Sequence, residues 1–137
     1  MDHEKYTRLM KKLGAEPEPQ LVPIQEFFDG NDDMASIGCN LLEHPGIKAF
    51  RATFEKLAQR SDVDAIYAQI AELEPEEDSW PFCDTVLVVG TLPLNALRTA
   101  LAGLQPDEVG TSEELIVPET LDVKNPKNLP VLVAWWD

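Results

Sequence analysis

Apolar residues recur along this chain with two different periods, and the switches between them mark out its elements. Tyr6, Leu9, Met10 and Leu13 fall at i, i+3, i+4 and i+7, which is one stripe of an α-helix. The spacing predicts a helix over residues 3–13, ended by Gly14, since glycine has no Cβ to strain a C-terminal turn. Residues 15–20, with Pro17 and Pro19, read as a linker. Residues 21–28 read as a strand, and Pro23 points to an edge or a strand start, because proline has no N–H to give to a ladder. Asp29-Gly30-Asn31-Asp32-Asp33 has turn chemistry, and 36–42 reads as the returning strand. Residues 21–42 are therefore predicted as a β-hairpin with an acidic tip.

His44-Pro45-Gly46 reads as the opening of the next helix, and Ile47, Phe50, Phe54 and Leu57 carry its stripe through Gln59. Asp62 is placed as the N-cap of a following helix in which Val63, Ile66, Tyr67, Ile70 and Leu73 face one way, ending at Glu74-Pro75. Thr85 to Val89 is apolar on both faces, the signature of a central strand. Leu94, Leu97, Leu101 and Leu104 mark a helix to about residue 104. Residues 105–128 are polar and proline-containing, and yield only a short strand near 115–117. Residues 129–136 close the chain as a buried strand.

After the N-terminal helix the order is β-β-α-α-β-α-β. It predicts one α+β domain over 1–137, of which 1–20 is the N-terminal helix and linker. Its sheet is expected to be mixed, with four to five strands and helices packed mainly on one face. The strand–helix–strand unit over 84–136 reads as a crossover joining parallel neighbours.

A chain of 137 residues can bury a core without disulfide staples. Cys39 and Cys83 both sit in apolar, strand-like segments and read as buried free thiols. The formal charge of −14, from 25 acids and 11 bases, opposes binding to nucleic acid or to an anionic membrane surface. The N-terminus is polar, and no apolar run approaches the roughly 20 residues of a membrane helix. A cytoplasmic protein with no membrane association is expected.

Few residue constellations carry chemistry. Asp29, Asn31 and Asp33 have the first spacings of a calcium loop, but Met34 stands where glycine is needed and Asn40 where glutamate is needed. A solvated turn is the simpler reading. Cys39, Asn40 and His44 are the residue types of a nucleophilic site, but Cys39 alternates with Ile37 and Leu41 and is expected in the core. Two distant histidines and two buried cysteines do not make a zinc set. Gly90-Thr91, between a strand and a helix, is one glycine short of a phosphate cradle in an acidic setting. No cofactor, no metal and no catalytic residue is expected, and the chain leans away from being an enzyme.

The charge is unevenly distributed. Residues 1–60 hold 10 acids and 8 bases, residues 61–123 hold 14 acids and only Arg98, and residues 124–137 hold Asp137 against Lys124 and Lys127. A single-sign surface attracts a basic partner and speeds its encounter. The expected partner-facing residues are Asp62, Asp64, Glu72, Glu74, Glu76, Glu77 and Asp78 on the second helix and its loop. Trp136 is placed with them: it and Trp135 alternate on the last strand, so one is core and the other, if exposed, an interface anchor. The alternative is a small-ligand site or enzyme pocket between the acidic loop (Glu26, Asp29, Asp32, Asp33) and the helix entry at His44, with carboxylates of raised pKa. A homodimer through an edge strand or the terminal tryptophans is a third expectation.

The stretches Val22-Pro23-Ile24-Gln25-Glu26-Phe27-Phe28-Asp29-Gly30-Asn31-Asp32, Ser36-Ile37-Gly38-Cys39-Asn40-Leu41 and His44-Pro45-Gly46 carry a resemblance, joined by Trp80-Pro81-Phe82, Leu104-Gln105-Pro106-Asp107-Glu108-Val109 and Trp135-Trp136-Asp137. In these the chain resembles a group of small acidic bacterial proteins without an assigned activity. In size and charge it is also similar to immunity proteins that neutralise bacterial toxins. The resemblance implies no catalytic residues.

Overall fold

Five strands form one sheet in the computed structural model, which describes residues 1–14, 20–73, 79–115 and 125–137. They are β1 (Gln20–Pro23), β2 (Val63–Glu72), β3 (Phe82–Gly90), β4 (Glu108–Thr111) and β5 (Val131–Trp135), in the spatial order β1-β2-β3-β5-β4. Every neighbouring pair is antiparallel. The apolar run 85–89 is the middle strand, as its two-faced pattern demands, and Pro23 lies on the edge strand β1. β5 is antiparallel to both β3 and β4, so β3 and β4 run parallel to one another with β5 filling the gap. Between β3 and β4 the chain passes through α4 (Leu94–Leu101) and a 3-10 turn at Ala102–Leu104. The expected parallel crossover over 84–136 is therefore corrected: its two strands, β3 and β5, are neighbours but antiparallel, because β4 and the turn after it reverse the chain between them, and the sheet is antiparallel throughout rather than mixed.

α1 (His3–Leu13) starts on Asp2, whose carboxylate accepts the N–H groups of Glu4 and Lys5, satisfying donors that a helix start leaves free. Tyr6, Leu9 and Leu13 are buried. α3 (Ile47–Ala58) buries Ile47, Phe50, Phe54 and Leu57, the predicted stripe.

Two predicted elements are replaced. The hairpin over 21–42 does not form: β1 stops at Pro23 and α2 (Ile24–Phe28) follows, with Ile24, Phe27 and Phe28 buried. A strand would send Phe27 and Phe28 to opposite faces. In the helix both enter the core, 5.1 Å apart, and Phe28 stacks on Phe54 at 6.0 Å. Residues 34–36 form a 3-10 turn, not a returning strand, so Cys39 is exposed and not a core residue. The helix over 62–73 is instead β2, where Ile66, Ala68 and Ile70 are buried on alternate positions. The spacing 63, 66, 67, 70, 73 fits a helix, but Val63, Ile66, Tyr67 and Ile70 are all strand formers, and the apolar β3 needs a partner on each side. Leu115 lies in a turn. Residues 116 and 117, and the linker 15–19, lie outside the described residues.

Ile66, Ala68 and Ile70 share one sheet face with Val86, Val88, Leu132 and Ala134, and pack with α1 to α4 in one apolar core. Trp136 belongs to this core. It is 1% exposed, its indole N–H donates to the Leu104 carbonyl at 2.9 Å, and its ring meets Phe50 and Phe54. It is therefore not a partner-facing anchor. Trp135, half-buried, lies on the other face. Gly90 serves a close backbone approach. A Cβ there would lie 2.2 Å from the Asp62 carbonyl oxygen, which accepts the Thr91 N–H at 2.8 Å. The Gly90-Thr91 corner is thus filled by the chain itself. No helix among the described residues is long and apolar enough to cross a membrane.

Candidate functional site

The structure disperses the acids expected on one helix face. Asp64 and Glu72 lie eight residues apart on β2, about 26 Å at the ~3.3 Å rise of a strand. Asp62 accepts two hydrogen bonds from Arg60, at 2.8 and 2.9 Å, and this pairing pulls its carboxyl below the ordinary range. Asp64 pairs with Lys127 at 3.4 Å. Glu74, Glu76, Glu77 and Asp78 lie outside the described residues.

The acidic loop at 26–33 is committed to holding α1 in place. Lys12 reaches Glu26 and Lys5 reaches Asp29, each at 2.6 Å, and the N-terminal ammonium meets Asp32 at 2.7 Å. Asp33 accepts the Ala35 N–H at 3.0 Å and the Trp80 N–H at 3.1 Å. The bond from Lys5 draws Asp29 below the ordinary carboxylate value of 3.8, and the bond from the N-terminus does the same to Asp32. These directions are opposite to the raised pKa values an enzyme pocket here would need. A concavity of about 280 Å³ does lie beside Glu26 and Asp29, but Lys5, Arg8, Leu9 and Lys12 complete it and His44 takes no part. His44 is a loop staple: Nδ1 accepts the Gly46 N–H at 2.9 Å, which leaves Nε2 to donate to the Ile37 carbonyl at 2.8 Å. With both nitrogens engaged, the imidazole offers Cys39 no base. Cys83 is fully buried, and burial pushes its thiol up to about 12, far from a thiolate nucleophile. Among the described residues no group of three or more His, Cys, Asp or Glu is placed to hold a metal ion.

What the fold does gather is a cup on the sheet face opposite the helices. Strand register lines up Gln69, Thr85, Trp135 and Glu108 across β2, β3, β5 and β4. Thr85, Glu108, Leu115, Val133 and Trp135 line a concavity of about 290 Å³. Gly110 on β4 pairs with Val133, and a Cβ there would lie 3.0 Å from Glu114 Oε2 and 3.5 Å from Leu115 Cγ. The lack of a side chain at 110 is what lets Glu114 and Leu115 fold over the strand. Backbone N–H groups of Glu114 and Leu115 both donate to the Thr111 carbonyl, and Arg98 donates to the Val109 carbonyl at 3.2 Å. These are the β4 carbonyls turned away from β5, so the outer edge is capped against further strand pairing.

Five exposed acids surround this edge: Asp107, Glu108, Glu113, Glu114 and Asp137. None forms an ion pair with a described base. Asp107 Oδ2 accepts the Asp137 N–H at 2.6 Å. Buried in the same row is Gln69 Oε1, which has no hydrogen-bond partner among the described residues. No motif or periodicity in the sequence marks this cup. Its one local signal was Val109 and Thr111 flanking a glycine between two acidic clusters.

Comparison with known proteins agrees in extent with the resemblance seen in the sequence. The family model described as the uncharacterized protein YfbO family matches residues 4–132, and the chain belongs to this family. One relative, the uncharacterized protein YfbO of Escherichia coli (strain K12), is 28% identical over 124 residues, covering 88% of this chain and 84% of that protein. No solved structure matches the chain.

Proposed function

For this member of the YfbO family we propose a non-enzymatic role: an acidic module, inhibitor- or immunity-like, that receives a basic protein partner. The observation that supports it is the set of five exposed carboxylates around β4, none paired with a described base. Like charges held close together oppose folding, so their placement calls for an external counter-charge. A partner bearing a cationic surface supplies it and is steered toward it.

Capture from the native organism at low and high salt tests the proposal. A basic protein retained at low salt and released at high salt is the expected result. Failure to retain any basic protein, or retention indifferent to salt, overturns it.

A further inference from the structure

We infer that the cup beside Trp135 receives one arginine side chain of the partner and is the anchor point of the acidic surface. This rests on the partner reading above. Its described walls carry a carboxylate and no cation. Glu108 stands directly opposite Trp135 across the β4–β5 ladder, and the Glu114 carboxylate overhangs Gly110, which pairs with Val133. Thr85 donates its hydroxyl proton to Asp84 at 2.9 Å, which leaves its oxygen lone pairs as acceptors. No base is among the described residues lining the cup, and Arg98 is held at the Val109 carbonyl.

A guanidinium fits these walls in two ways. Its flat face stacks on an indole, and its N–H donors fan out toward carboxylates. At about 290 Å³ the cup stands at the lower end of small-molecule pockets, which begin near about 300 Å³. It suits one side chain better than a whole ligand.

The test titrates N-acetyl-arginine amide into the full chain and follows ¹H–¹⁵N spectra. Trp135 is the one half-buried tryptophan, since Trp80 and Trp136 are 0% and 1% exposed, so its indole signal reports the cup. The Trp135 indole and Gly110 amide are expected to shift with arginine amide and not with the neutral citrulline amide. Glu108→Gln, an exposed substitution that leaves the fold intact, is expected to weaken binding several-fold, and Trp135→Leu to abolish it. Equal shifts with citrulline, shifts elsewhere, or indifference to Glu108→Gln overturn the cup. Equal binding of lysine amide overturns the guanidinium stacking. A native basic partner captured equally by the original chain and by Glu108→Gln and Trp135→Leu overturns the cup and leaves the partner reading standing. Capture of no basic protein overturns the partner reading itself.

Discussion

The α1–α2 side and the β4–β5 side of this molecule both carry a dense set of carboxylates, and they use them in opposite ways. On the first side Glu26, Asp29 and Asp32 each meet a cation supplied by α1 or the N-terminus. On the second, Asp107, Glu108, Glu113, Glu114 and Asp137 meet none among the described bases. Acid content alone therefore says little. A carboxylate whose counter-ion lies in its own chain is an assembly device, and one left without is available to something else.

The largest effect that tests this division separates the two adjacent tryptophans. Trp136→Ala is expected to cost about 3–5 kcal/mol in urea unfolding, as removal of a core aromatic does, and Trp135→Ala less than half as much. Comparable losses would mean that Trp135 is structural and the β4–β5 face is not free. Next is Gly90→Ala. The added methyl meets the Asp62 carbonyl at 2.2 Å, and prising β2 from β3 there is expected to cost about 1–3 kcal/mol.

Changes of pH separate the paired loop from the core beneath it. Asp29 and Asp32 ionise below 3.8 when folded. Their contribution is present above that value and is lost as pH falls through the lower folded values. Acid should therefore raise hydrogen exchange in α1 before β3. At the alkaline end, the Cys83 thiol moves from 9.0 to about 12. Its contribution holds below 9.0 and falls as pH rises toward 12, so melting temperatures should decline above pH 9.0, and less so in Cys83→Ala. The smallest effect is the sharpest comparison. Asp29→Asn removes an exposed ion pair and should lower stability by at most about 1 kcal/mol. Glu108→Gln relieves repulsion and should leave stability unchanged or slightly raised. If both lower it equally, the two sides are alike.

The sequence was legible where a local pattern had one meaning. The stripes of α1, α3 and α4, the two-faced run of β3 and the edge position of Pro23 all follow from spacing and residue type. Residues 63–72 misled because Val63, Ile66, Tyr67 and Ile70 satisfy a helical period and a strand propensity together, and only the sheet partners decide between them. Phe27 and Phe28 misled because adjacent aromatics look strand-like until Phe54 is known to lie against Phe28. The cup was scarcely legible. It depends on β5 lying between β3 and β4, and on Leu115 and Glu114 folding over Gly110, none of which is encoded within a window of neighbouring residues.

The place of β5 also has a consequence for how the chain folds. β3 and β4 both precede in the chain the strand that joins them, and in the finished sheet neither pairs with the other. Until residues 131–135 dock, the apolar inner edge of β3 stays open to other chains. The right half of the sheet must then close around a late insert, a non-local step that is slow by nature. Slowed docking of β5 during refolding should prolong that exposure and raise aggregation, without altering a single contact in the finished fold.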